Sequence, residues 1–243
     1  MVKQYNKEEF EKFARGLKKI SDILKSEKPD FVFAPVVGSV PLIDLISISD
    51  RHFNLDSVEY PPNSSRFLNR ESIISKWYSK FLKNNYCGDP IKIICIDEII
   101  SGSSAVKGYK EFQKAIRKFR QEENEDLERK VIYHILGPAE LPKNKKRNHG
   151  IIRLVNKKIA KIVEVGNIIT SDNPDLNYIR LKNGGLNVQG REIYLPEIEF
   201  FKVSPEYITL LQNFASYIGA DPKNVSANNL SRIKESLEGY LLD

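Results

Sequence analysis

Only two of the 243 residues are cysteine, Cys87 and Cys95, too few for a disulfide framework and without the CxxC or Cys/His spacing of a zinc site. Cys95 lies inside an apolar run and reads as a buried small hydrophobe. No apolar run approaches the ~20 residues that a membrane span needs, and mean hydropathy is −0.40, so no transmembrane segment is expected. The opening residues, Met1 to Phe10, are polar and hold no apolar h-region, which predicts no secretory signal and a cytoplasmic address. Internal repeats and low-complexity tracts are absent. What is present is material for a substantial core, 41% hydrophobic against 29% charged residues, enough for one large or two small domains. Lys and Arg outnumber Asp and Glu by 38 to 32, and a net charge of +6 suits an anionic partner: nucleic acid, nucleotide or sugar phosphate.

From Asn6 to Ser26, Phe10, Phe13, Leu17, Ile20 and Leu24 recur at spacings of three and four, the period of one helical face. Asn6 with Glu9 gives a capping box at its start. A short apolar run from Asp30 to Val37 reads as a buried strand that delivers the chain into Gly38-Ser39, with a helix starting near Pro41. Tyr60-Pro61-Pro62-Asn63-Ser64-Ser65-Arg66 marks a loop, and Ile73, Ile74, Trp77, Tyr78, Phe81 and Leu82 form one face of the helix after it. The continuous run Ile91 to Ile96 is of the kind buried on both faces in a parallel sheet. A helix to about Arg120 follows, with Tyr109, Phe112, Ala115, Ile116 and Phe119 on its apolar face, then a solvated turn at Gln121 to Asp126 and a strand Val131 to Leu136 that ends at Gly137-Pro138. Strand, glycine turn, helix and strand in this order predict an α/β fold with a parallel, Rossmann-like sheet flanked by helices.

Beyond Pro142 the composition shifts. Residues 1–29 read as an N-terminal helix, 30–142 as the α/β core, and 143–243 as an appended β/α elaboration that packs on it. Strand candidates there are Ile151 to Val155, Ile159 to Val165, Tyr178 to Leu181 and Ile193 to Leu195, with Asn183-Gly184-Gly185 as a hairpin signal. Two closing helices are expected, one from Ser204-Pro205-Glu206 to Gly219, the other carrying Leu230, Ile233, Leu237 and Leu241.

The segment Asp97-Glu98-Ile99-Ile100-Ser101-Gly102-Ser103-Ser104-Ala105 carries the chemistry. It sits at the C-terminal end of a strand and opens a helix, whose free N–H groups and dipole attract an anion. Small residues let backbone amides approach phosphate oxygens, and Ser101, Ser103 and Ser104 add hydroxyl donors. Two carboxylates at the entrance would repel a phosphate, so they suit sugar hydroxyls or a nearby Mg2+. A phosphate beside vicinal hydroxyls describes a ribose 5-phosphate. His134 reads as a sheet or core residue and His149 has no visible carboxylate partner, so neither is a candidate acid or base.

Hydrophobic strand, two acids, two apolar residues and a Ser/Gly loop, Ile93 to Ala105, resembles the phosphoribosyl pyrophosphate (PRPP) signature of type I phosphoribosyltransferases. The resemblance covers about residues 30 to 140 and implies a phosphoribosyltransferase-type sheet. It also implies that Asp97 and Glu98 hold the ribose 2′- and 3′-hydroxyls, and that Ser101, Gly102, Ser103, Ser104 and Ala105 wrap the 5′-phosphate, Ser101 standing where some relatives keep a catalytic acid or a threonine. Gly38 and Ser39, after the first strand, match the pyrophosphate loop, with Val37 and Val40 where many relatives carry a basic residue. Tyr60 to Arg70 falls where such enzymes carry a mobile flap, with Arg66 placed to meet the leaving pyrophosphate. The implied ligands are PRPP with its Mg2+, no protein metal cluster being assigned, and a nitrogenous acceptor that the sequence does not name.

The alternative within the same family is a non-catalytic regulatory protein that senses PRPP or nucleotides, which the missing basic residue in the first loop favours. A nucleic-acid contact at Lys143, Lys145, Lys146 and Arg147 is the less favoured reading, because no aromatic residue interleaves with these charges to stack bases. The reading admits a homo-oligomer and no membrane partner.

Overall fold

The computed structural model describes residues 7–36, 38–63, 67, 69–123, 127–139, 149–165, 186–188, 191–193, 203–225 and 230–237. Helix α1 (Lys7–Glu27) presents Phe10, Phe13, Leu17, Ile20 and Leu24 to the core, the face that their spacing predicts. Strand β1 (Phe31–Phe33) follows, then α2 (Val40–Ser49), a two-residue strand β2 (Val58–Glu59) and α3 (Arg70–Asn85), whose apolar face is buried at all six expected positions. Strand β3 (Ile91–Ile96) leads into α4 (Ser103–Glu123), the short α5 (Leu127–Lys130) and β4 (Val131–Ala139). Beyond residue 142 come α6 (His149–Asn156), β5 (Ala160–Glu164), the hairpin strands β6 (Leu186–Val188) and β7 (Arg191–Ile193), α7 (Pro205–Tyr217) and α8 (Leu230–Leu237).

Five strands pair in parallel in the order β2-β1-β3-β4-β5, an all-parallel sheet with helices on both faces, as the sequence predicts. The period-2 alternation of β1 and β3 divides the core. Val32, Ile94 and Ile96 face the layer of α1, α2 and α7, while Phe33, Ile91, Ile93 and Cys95 face α3, α4 and α6. On the second face an aromatic cluster surrounds Phe33, with the Trp77, Phe81 and Phe112 rings edge-on at 4.8 to 6.0 Å. Cys95 is buried there, as expected, and Cys87 is exposed.

Three sequence expectations need correction. Ile151 to Val155 is helical, because Ile151 and Leu154, three apart, are buried while Ile152 and Arg153 are exposed: one helical face, in a run too short for its period to be read. Strand β4 does not stop at Leu136 but runs through Gly137-Pro138 to Ala139, because β5 pairs with it there after β3 has ended. The fifth strand of the core sheet therefore comes from the region beyond Pro142. Helix α4 continues to Glu123, into the stretch expected as a turn. Residues Asn6, Tyr178 to Leu181, Asn183 to Gly185 and Leu241 lie outside the described residues.

Helix α7 starts where Ser204 caps it, its hydroxyl accepting from the Tyr207 amide at 3.1 Å, and ends before Gly219 at φ +77. Its Tyr207 hydroxyl donates to buried Asp44 of α2 at 2.7 Å. Helix α8 covers the outer edge of β2. The Glu59 and Pro61 carbonyls face β1 and accept from Ala34 and Val36, while those of Val58 and Tyr60 face outward and accept from Arg232 and Ser236, each at 3.0 Å. An unpaired strand edge is thereby closed by side-chain donors. Among the described residues, no helix is long and apolar enough to cross a membrane.

Candidate functional site

The chain leaves β1 for β2 on one side and returns to β3 on the other, so strand order reverses between β1 and β3. In open parallel sheets the crevice at the carboxyl ends of such a pair is where ligands bind. Three loops meet here: Ala34 to Val36 with Gly38 and Ser39 after β1, Tyr60 to Asn63 after β2, and Asp97 to Gly102 after β3.

The β3 loop is pinned from below. The Asp97 amide donates to the Leu136 carbonyl at 3.3 Å and the Ile99 amide to that of Pro138 at 2.8 Å. The Ile99 side chain lies over Gly137, where a Cβ would come within 2.4 Å of it. Ile100 is left 62% exposed at the rim. Gly102 then turns the chain into α4 at φ +73, and a Cβ on it would stand 2.5 Å from that of Ile151. Both the backbone angle and the close approach require glycine. Ser101 Oγ lies 3.2 Å from Ser103 Oγ and accepts from the Ser103 amide at 3.4 Å, so two of the three serines gather at the opening of α4. Ser103 is exposed, Ser101 and Ser104 are half-buried, and Ala105 is buried under the turn.

Asp97 is 6% exposed. Its Oδ1 accepts from Ser39 Oγ at 3.3 Å across the switch point, and its Oδ2 has no hydrogen-bond partner among the described residues. Burial pushes this carboxyl up to about 6, against the Ser39 bond and the charge of Arg70, which favour ionisation. Ser39 stands at the N-cap of α2, yet its hydroxyl makes no cap bond there. It serves Asp97 instead. Glu98, the next residue, is half-buried, and a Cβ on Gly38 would meet nothing within 4 Å. The first loop therefore leaves room beside its backbone.

Two residues of the Tyr60–Arg70 interval join the site in a role that their local sequence does not give. Asn63, 4% exposed, donates from Nδ2 to the Ser104 carbonyl at 3.1 Å. Arg70, in the first turn of α3, donates from Nε to Asn63 Oδ1 at 3.0 Å, from Nη2 to the same oxygen, and from Nη2 to the Ser104 carbonyl at 3.5 Å. Burial lowers the guanidinium from its usual range while the Asp97 charge acts to raise it. Tyr60 to Asn63, the described start of the flap interval, is buried. Arg66 lies outside the described residues, as do Lys143 to Arg147.

The structure thus brings Ser39 to Asp97, and Asn63 and Arg70 to Ser104, at the opening of α4. No group of three or more His, Cys, Asp or Glu side chains able to hold a metal occurs among the described residues. Such an arrangement suits a ligand that offers an anion to Arg70 and the α4 amides, and hydroxyls or a bound cation to Asp97. Family models, curated proteins and solved structures give no match to this chain, so the site is argued from its own residues.

Proposed function

We propose that this edge of the sheet binds a phosphorylated ribose, PRPP or ribose 5-phosphate, with Mg2+, and that the protein transfers the phosphoribosyl group to a nitrogenous acceptor. In that reaction the C1–O bond to pyrophosphate breaks, a C1–N bond forms, and pyrophosphate and the proton of the acceptor nitrogen are released. The observation that carries the reading is Asp97: a buried carboxylate with an unpartnered oxygen, held at the switch point beside a serine-rich helix start. A group kept in so unfavourable a state is a candidate functional group, and it supports this reading. In this role Asp97 and Glu98 take the ribose hydroxyls, the stretch from Ser101 to Ala105 takes the 5′-phosphate, and Gly38 and Ser39 line the pyrophosphate side.

Mg2+ fits the donor set. It is bound by one or two carboxylates together with substrate phosphates and water rather than by an all-protein cage. Asp97 and Glu98 are the residues that would hold it. When bound, the ion withdraws charge from the departing pyrophosphate. A cytoplasmic address belongs to the same reading.

The test is ligand-induced stabilisation by PRPP with Mg2+, compared between wild type and the Asp97→Asn/Glu98→Gln variant. A rise in Tm that the variant loses supports the site. No shift with PRPP, ribose 5-phosphate or nucleoside monophosphates overturns it. The residues from Val36 to Val40 include no basic side chain, which favours a second reading as a sensor that binds PRPP or a nucleotide without transfer. Binding without pyrophosphate release, across a panel of nitrogenous bases, selects that reading.

A further inference from the structure

We infer that Arg70 is the phosphate-binding cation of this site and that Asn63 is the residue that positions it, an inference that rests on the phosphosugar reading above. The guanidinium is half-buried at the start of α3, and both partners recorded for it are neutral: the Asn63 side-chain oxygen and the Ser104 carbonyl. Among the described residues no carboxylate lies within the 4.0 Å of an ion pair. Of its five N–H donors, those on Nε and Nη2 are turned toward these oxygens, and the Nη1 pair has no acceptor among the described residues. The charge is held in place with no ion-pair partner among the described residues.

Asn63 fixes that geometry. It is almost wholly buried, with its amide nitrogen on the Ser104 carbonyl and its oxygen on Arg70, so both halves of the side chain are committed. Helix α4 makes room for it at Gly108, where a Cβ would come within 2.7 Å of Asn63 Nδ2. Asp97 and Arg70 feel each other's charge but do not meet, so an anionic and a cationic group stand near each other, each with a polar atom unpartnered among the described residues. The Nη1 nitrogen, with two N–H donors left over on a charged group, is suited to a phosphoryl oxygen. That group belongs either to a sugar phosphate or to a diphosphate, and the carbon skeleton that carries it places hydroxyls at Asp97.

The experiment is calorimetric titration of the full chain with inorganic pyrophosphate, ribose 5-phosphate and PRPP, each with Mg2+, using wild type, Arg70→Lys, Arg70→Gln and Asn63→Asp. Arg70→Gln is expected to weaken the phosphorylated ligands at least tenfold. Arg70→Lys, which keeps charge and loses the planar guanidinium, should fall between wild type and Arg70→Gln in affinity. Asn63→Asp places a carboxylate on the guanidinium and is expected to weaken the same ligands, with a lower Tm because the donation to the Ser104 carbonyl is lost. A larger loss for pyrophosphate than for ribose 5-phosphate assigns Arg70 to the diphosphate, and the reverse assigns it to the 5′-phosphate. Wild-type binding with affinities for Arg70→Gln and Arg70→Lys within twofold of it overturns the inference and leaves the phosphosugar site standing. Failure of the wild type to bind any of the three overturns both.

Discussion

Asp50 and Asp97 are buried aspartates at opposite edges of one sheet. Asp50 follows α2 at the amino edge, beside the end of α1, and both of its carboxylate oxygens have partners. Ser21 donates to one carboxylate oxygen, the Lys25 ammonium stands 2.7 Å from the same oxygen, and the His52 amide donates to the other at 3.1 Å. Burial alone would raise this carboxyl, yet these three partners hold it below the usual carboxylate range. Asp97 at the carboxyl edge has a single hydroxyl at 3.3 Å and sits high, at about 6. The difference separates a carboxylate that holds the fold together from one that the fold carries at a loss, and only the second has a valence to offer a ligand.

The comparison is broken most directly at Asp50. Replacing Asp50 by alanine strands the Ser21 hydroxyl and the His52 amide, and is expected to destabilise by about 3 kcal/mol, read as a lower midpoint in urea unfolding. The opposite sign is expected for Asp97→Asn, a gain of about 2 kcal/mol near pH 7.5 together with loss of PRPP-induced stabilisation, both read from thermal unfolding. A destabilised Asp97→Asn variant at that pH would remove the contrast.

The pH dependence follows from the same two groups. The value of about 6 for Asp97 lies above its ordinary 3.8, so the native state binds the proton more tightly than the unfolded chain does. Its contribution is full below about pH 4 and is lost as pH rises through 6. Asp50, held low, contributes above its ordinary value and loses that contribution as pH falls through the depressed one. Asp97→Asn should therefore gain on wild type across pH 4 to 6, whereas the Asp50→Ala deficit should shrink only at lower pH. Ser39→Ala is expected to destabilise by about 1 kcal/mol and to move the Asp97 transition to higher pH, since it removes the bond that favours the ionised carboxylate. The smallest effect belongs to Lys25→Ala, about 0.5 kcal/mol and reduced by added salt, because the ammonium is largely exposed.

The parts of the molecule legible in its sequence are those whose pattern is local. The six-residue run of β3 and the apolar faces of α1, α3 and α4 are periodicities, and packing did not override them. The loop from Asp97 to Ser104 could be located from its place between strand and helix, and Gly102 from the turn it makes. The raised state of Asp97 could not, because it comes from burial where separate loops meet, against the bond from Ser39, 58 residues earlier. Arg70 and Asn63 lie seven residues apart in a stretch whose composition signals only loop and helix start, and their meeting with Ser104 is a product of sheet order. Helix α6 was obscured for a different reason: its eight residues hold one buried face that an equally short strand could also supply.

The helix that shields β2 lies far along the chain from the strand it protects, Arg232 reaching back 174 residues to Val58. At the ~5 to 20 residues per second of ribosomal synthesis, the outward carbonyls of β2 stay uncovered for roughly 10 to 35 s after the strand emerges. During that interval a nascent chain presents a two-residue edge flanked by Pro61 and Pro62, too short and too proline-rich to template a neighbour on the same polysome.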